Sequence, residues 1–147
     1  MSEHEAIEGW SPPTDEECKE ILRSVISVAI VGVSANPARP SNEVAKNLCE
    51  ASTGYEIYFV NPTTTEVLGQ PCFPSLSDLP VVPDLVDVFR KLEDVPSVAQ
   101  ESVDVGAQVF LTQFDLWSPE AAQIVLGDGM QLVMDRCLKV EYARLFR

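Results

Sequence analysis

The sequence predicts an α/β domain, an open and mostly parallel sheet of five strands covered by helices on both faces. Three observations lead there. Short apolar, β-branched runs begin near positions 27, 55, 84, 108 and 130. Helical periodicity fills most of the intervals between them. The runs are continuous rather than alternating, as expected of strands buried on both faces. Regular alternation of strand and helix then implies parallel pairing through right-handed crossovers.

Residues 1–13 are polar and acidic, end in Ser11-Pro12-Pro13, and read as a disordered tail ahead of one domain over 14–147. Thr14 followed by Glu17 forms a capping box, and Ile21, Leu22 and Val25 recur at helical spacing behind it. SVAIVGV at 27–33 is the first strand. Pro40 suits a first helical turn, with Val44, Ala45, Leu48 and Cys49 along one face before Gly54. YEIYFV at 55–60 is the second strand, closed by Asn61-Pro62. Residues 63–83 carry Gly69 and four prolines, which leaves a short strand or turn and one brief helix near 75–79. DLVDVF at 84–89 is the third strand, followed by a helix marked by Val95, Val98, Ala99 and Val103. QVFLTQ at 108–113 is the fourth. Ser118-Pro119-Glu120 opens a helix to about Leu126, with Ser118 as cap. MQLVM at 130–134 and an amphipathic helix near 138–146 complete a three-layer αβα, Rossmann-like arrangement.

Composition narrows the partners. A chain of 147 residues fits one domain. Its net charge of −13 should repel nucleic acid and anionic membranes, since cationic side chains supply most of that binding. No apolar run is long enough to span a bilayer, and the acidic N-terminus lacks the pattern of a signal peptide, so a cytoplasmic location is expected. The four cysteines, Cys18, Cys49, Cys72 and Cys137, form no CxxC pair and read as small hydrophobes, with no metal site.

Ligands of open α/β sheets bind beyond the carboxyl ends of the strands. That rule nominates residues 32–41, 61–65, 89–93 and 113–117. The first segment, Gly32-Val33-Ser34-Ala35-Asn36-Pro37-Ala38-Arg39-Pro40-Ser41, links a strand to a helix start, where backbone N–H groups and the helix dipole favour phosphate. Gly32 permits a tight turn, Ser34 and Ser41 offer hydroxyls, and Arg39 offers a planar fork. The glycine fingerprint of dinucleotide sites is missing, because Ser34 stands at its second position. The second strand ends in the neutral Asn61-Pro62-Thr63 rather than in a carboxylate that would hold a ribose 2′-hydroxyl. This lowers NAD, favours coenzyme A with its phosphorylated ribose, and leaves NADP open. Phe89, Arg90 and Lys91 set an apolar plate beside two cations, and Gln113 with Phe114 closes the fourth strand. His4 is the lone histidine and sits in the tail, so no catalytic residue is assigned. Arg136 and Glu141 read as an ion pair fixing the last helix, in preference to activation of the Cys137 thiol.

Gly32-x-Ser34 with Asn36-Pro37-x-Arg39-Pro40-Ser41, then Val60-Asn61-Pro62-Thr63, Leu68-Gly69, Pro74-Ser75-Leu76, Val88-Phe89-Arg90 and Met134-Asp135-Arg136-Cys137-Leu138-Lys139-x-Glu141, occur in one order. Together, over about residues 14–147, they resemble the small stand-alone CoA-binding domain family. That family is similar in turn to the CoA-binding domain of the succinyl-CoA synthetase α-subunit. The resemblance implies a five-stranded Rossmann-like fold that binds coenzyme A or acyl-CoA. It implies Gly32, Ser34 and Arg39 at phosphates, Asn61 and Pro62 at the adenosine, and Phe89 and Arg90 at the pantetheine or pyrophosphate. The synthetase's catalytic histidine belongs to a part absent here, so its reaction does not transfer. The family's Gln-x-Gly after the fourth strand is Gln113-Phe114-Asp115 in this chain, and a carboxylate there could crowd the acyl end. The readings that compete with a non-catalytic CoA-binding module are an NAD(P)-dependent oxidoreductase and an interaction protein with a vestigial nucleotide pocket.

Overall fold

A computed structural model describes residues 4–146; residues 1–3 of the expected tail and residue 147 lie outside the described residues. Helix α1 (Asp15–Ser24) starts on the capping box: Glu17 N donates to Thr14 Oγ1 at 3.2 Å and Thr14 N donates to Glu17 Oε1 at 2.9 Å. It leads into β1 (Ser27–Val31), α2 (Pro40–Glu50) and β2 (Glu56–Val60). A small hairpin of β3 (Glu66–Val67) and β4 (Gln70–Phe73) follows, then a single 3-10 turn at Leu76–Asp78. The chain continues through β5 (Leu85–Val88), α3 (Val95–Val105), β6 (Val109–Thr112), α4 (Pro119–Gly127), β7 (Gln131–Val133) and α5 (Leu138–Leu145). Ser118 caps α4 by accepting from Ala121 N at 3.1 Å.

The sheet runs β3-β4-β2-β1-β5-β6-β7. Every pairing is parallel except β3 with β4. Without β3, the parallel strands stand in chain order 3-2-1-4-5-6, the doubly wound arrangement whose switch point falls between β1 and β5. Side chains alternate strictly between two cores. Val28, Ile30, Leu85, Val109, Leu111 and Val133 pack under α1, α2 and α5. Ala29, Val31, Val86, Val88, Phe110 and Leu132 pack under α3 and α4. Burial on both faces accounts for the continuous apolar runs.

Two features differ from the sequence reading. The sheet has seven strands rather than five, the additional pair coming from the proline-rich stretch. Leu68 and Gly69 both have positive φ, 52° and 75°, and form the two-residue loop that joins β3 to β4. Leucine at such a turn and Pro71 inside β4 hide the hairpin from pattern reading. The expected disordered tail is also placed from His4 onward. Ile7 is buried among the residues under α4, Trp10 Nε1 donates to Leu132 O at 3.1 Å, and Trp117 Nε1 donates to Glu5 O at 2.7 Å. Two apolar anchors three residues apart outweigh the polar composition around them. Cys49 is exposed at the edge of the α2 face, whereas Cys18, Cys72 and Cys137 are buried. Among the described residues no helix is long and apolar enough to cross a membrane.

Candidate functional site

Parallel strands deliver all their carboxyl ends to one edge of the sheet, so the loops after β2, β1, β5 and β6 lie side by side. Between them opens a cleft of about 790 Å³. Its floor lies at the switch point. Gly32, directly after β1, has φ +88°, and its N–H donates to Val60 O at 2.8 Å. A Cβ at this position would sit 1.9 Å from the carbonyl oxygen of Phe89 and 2.8 Å from Arg90 Cδ. Glycine is therefore required twice over, by backbone conformation and by the close approach of the chain leaving β5.

From Gly32 the loop climbs to α2 and is braced by its own side chains. Ser34 N donates to Ser41 Oγ at 2.9 Å, and Asn36 N donates to Ser34 Oγ at 3.0 Å. Asn42 Nδ2 holds Ser34 O at 2.8 Å, and Asn61 Nδ2, reaching over from the end of β2, holds Val33 O at 2.9 Å. Both serine hydroxyls line the cleft and already accept a backbone N–H, so each still has its O–H to donate. No acceptor for either proton is present among the described residues. Helix α2, eleven residues long, presents its amino end here with Pro40 in its first turn and no side-chain cap.

Three cations face the same space. Arg39 and Lys91 are exposed, and among the described residues neither has a carboxylate partner. Arg90 Nη2 lies 3.5 Å from Asp94 Oδ2, and Asp94 is the one carboxylate of the cleft wall among the described residues. Phe89, half-buried, offers its ring between them and the α1, α2 and α5 core. At the β6 end the wall turns apolar with Phe114 and Leu116.

Of the residues singled out from sequence, Gly32, Ser34, Arg39, Ser41, Asn61, Thr63, Phe89, Arg90 and Gln113 line this cleft. Val33 does not; it is fully buried in the core. Ala35 and Asn36 are not part of the wall, and Asn36 Oδ1 accepts from Ala38 N at 3.0 Å. Pro62 lines a smaller crevice on the α3 side together with Val60 and Pro74. Asn61 has its polar atoms occupied by Val33 O, Thr63 N and Thr63 Oγ1, so it acts as a brace for the loop. Asp115, expected to crowd the ligand, is exposed and off the wall; its φ is +69° and its N–H donates to Asp135 Oδ1 at 2.7 Å. His4 Nε2 bonds the other Asp135 oxygen at 2.8 Å and stacks on Trp117. Arg136 and Glu141 do pair, at 3.6 Å, and Glu141 also binds Arg144 at 2.6 Å.

Asp94 lies outside the segments nominated from sequence, as does Asp87 behind the wall, whereas Pro40 and Leu116 fall inside them without a role assigned. Asp87 is fully buried on β5 opposite Ile30 and Leu111. Gln113 Nε2 lies 3.4 Å from its Oδ1, while Oδ2 has no partner. Burial pushes its carboxyl up to about 7, against the opposing pull of the Gln113 hydrogen bond. An aspartate inside an otherwise apolar strand run was the available signal.

A doubly wound sheet with a cationic, hydroxyl-lined cleft at its switch point defines a domain of the Rossmann-like class. The chain belongs to the CoA binding domain family, whose model matches residues 26–143. It is 41% identical over 131 residues to the uncharacterized protein YneT of Bacillus subtilis, covering 89% of this chain and 96% of that one. It is 35% identical over 121 residues to acetate–CoA ligase [ADP-forming] I of Archaeoglobus fulgidus, covering 76% of this chain but only 17% of the ligase. A hypothetical protein from Pyrococcus horikoshii superposes with a TM-score of 0.87 at 36% identity, each chain covered in full.

Proposed function

We propose that this protein binds coenzyme A or an acyl-CoA in the switch-point cleft, as a ligand-binding module that carries out no covalent step. The observation that carries the reading is a set of unspent donors around one Cβ-free floor: the Ser34 and Ser41 hydroxyls, the uncapped start of α2, and Arg39 and Lys91, with Arg90 beside them paired to Asp94. In a chain of net charge −13, free cations gathered at one strand-end cleft suit a multiply anionic ligand. Phosphates would rest against the Ser34–Ser41 loop and Arg39, with the pantetheine arm crossing Phe89. Family membership and the likeness to the ligase segment support coenzyme A over other nucleotides. Among the described residues neither serine hydroxyl of the cleft is hydrogen-bonded to a carboxylate or histidine, and His4 is engaged with Asp135 and Trp117, neither of which lines the wall.

Thermal unfolding with and without ligand tests this. Coenzyme A at a hundredfold excess over Kd should add about 2.7 kcal/mol to stability, because only the folded state binds it. 3′-Dephospho-CoA should give a smaller rise, and NADH should fail to displace coenzyme A. An unmoved melting curve with both coenzyme A and acetyl-CoA would refute the reading.

A further inference from the structure

We infer that the β6 end of the cleft is an acyl subsite for the short, uncharged, straight-chain acyl group of a CoA thioester; this rests on the coenzyme A reading above. The cleft is polarised along the sheet edge. Its hydroxyls and cations belong to the loops after β2, β1 and β5, whereas the chain after β6 contributes Phe114 and Leu116 beside Gln113, whose amide is directed to the buried Asp87. Adjacent strands are about 4.8 Å apart, so the β6 loop lies two steps, roughly 10 Å, from the β1 loop. A ligand with its phosphates at Arg39 and its arm across Phe89 brings its thioester end to Phe114.

Phe114 is 54% exposed, an aromatic ring left in solvent on the wall of the cleft rather than folded into either core. Its position is not a matter of a loose loop. Leu116 N donates to Gln113 O at 3.1 Å, Thr112 Oγ1 donates to Leu116 O at 2.7 Å, and Asp115 N donates to Asp135 Oδ1 at 2.7 Å. The turn is tied on three sides and presents the ring preformed, so covering it with an acyl chain removes apolar surface from water with little ordering cost. Charge sets the chemistry of the acyl group. Asp115 sits on the same turn but off the wall, its N–H on Asp135, while Arg39, Arg90 and Lys91 belong to the other loops, so a carboxylated acyl group meets no cation of the wall at this end, and a plain alkyl chain needs none.

Calorimetric titration of the intact protein with coenzyme A, acetyl-CoA, butanoyl-CoA and succinyl-CoA tests the subsite. Each buried methylene strengthens binding by about fourfold. Butanoyl-CoA, two methylenes longer, should therefore bind roughly fifteenfold tighter than acetyl-CoA, and succinyl-CoA no tighter than coenzyme A. Phe114→Ala, at an exposed position, should erase the butanoyl preference, so that butanoyl-CoA and acetyl-CoA bind within about twofold of each other. Coenzyme A binding with no gain from butanoyl, or a butanoyl preference that survives Phe114→Ala, would overturn the subsite while leaving the coenzyme A reading intact. Failure of all four ligands to bind would overturn both.

Discussion

Replacing Asp87 by asparagine should remove a defined part of the protein's pH dependence. Asp87 is fully buried with one carboxylate oxygen unpartnered, and its carboxyl is pushed up to about 7 from a reference of 3.8. Between these values the folded protein holds a proton that the unfolded chain releases, so stability falls as pH rises through this window. At 1.36 kcal/mol per pKa unit the full loss is about 4 kcal/mol, of which roughly 2–3 kcal/mol falls between about pH 5 and about pH 8. Asparagine is neutral throughout, keeps an acceptor for Gln113 Nε2, and leaves its NH2 group unpartnered where the protonated acid leaves its hydroxyl. The two proteins should therefore be similar in stability near pH 5. Near pH 8 the asparagine form should have gained roughly 2–3 kcal/mol relative to wild type. Urea unfolding of both proteins at the two pH values reads this directly, and the differences cancel contributions from the other acids. Asp15, Glu17 and Glu43, whose carboxyls are held low by Arg144, Thr14 and Lys139 respectively, add stability above their unfolded pKa values and lose it on further acidification. A stability difference that does not change between the two pH values would refute the argument from burial.

Gly32→Ala should destabilise by at least about 2 kcal/mol, since a positive φ costs an L-residue about 1–2 kcal/mol and the Phe89 carbonyl must also move; denaturant titration at native-like stability would contradict the close approach. Arg39→Ala should leave the melting temperature unchanged, because the side chain is exposed without a described partner, yet weaken coenzyme A binding about tenfold or more in calorimetry. Ile7→Ala should cost about 2 kcal/mol in urea unfolding if the N-terminal segment packs as described; a cost near zero would return that segment to a solvated tail. Asp115→Gly, at φ +69°, should raise stability slightly or leave it unchanged, and a loss above about 1 kcal/mol would show that the aspartate side chain has a role the fold does not reveal.

The parallel sheet was legible because burial on both faces writes itself as uninterrupted β-branched runs, and β1, β5 and β6 show every residue buried. Gly32, Ser34, Arg39 and Phe89 were legible for a topological reason: strand-end loops of such a sheet converge whatever their sequence. The β3–β4 hairpin was not, since Leu68 occupies a backbone conformation ordinarily left to Gly or Asn. Tertiary contacts also escaped local reading. Ile7 and Trp10 look like isolated apolar residues in a polar run until Leu132 is beside them. Asn61 resembles a ligand contact, yet its amide is consumed in holding the loops, and Asn36 spends its Oδ1 on Ala38 N. Pro62 lines the neighbouring crevice on the α3 side, which shares Arg90 and Asp94 with the cleft, a partition that residue type does not encode.

The most direct measurement is a crystal structure of the protein with coenzyme A. Density for the phosphates against Ser34, Ser41 and Arg39, with the arm running over Phe89 toward Phe114, is the predicted result. Ordered coenzyme A elsewhere on the surface, with the cleft between the β1 and β5 loops filled only by solvent at saturating ligand, would contradict it.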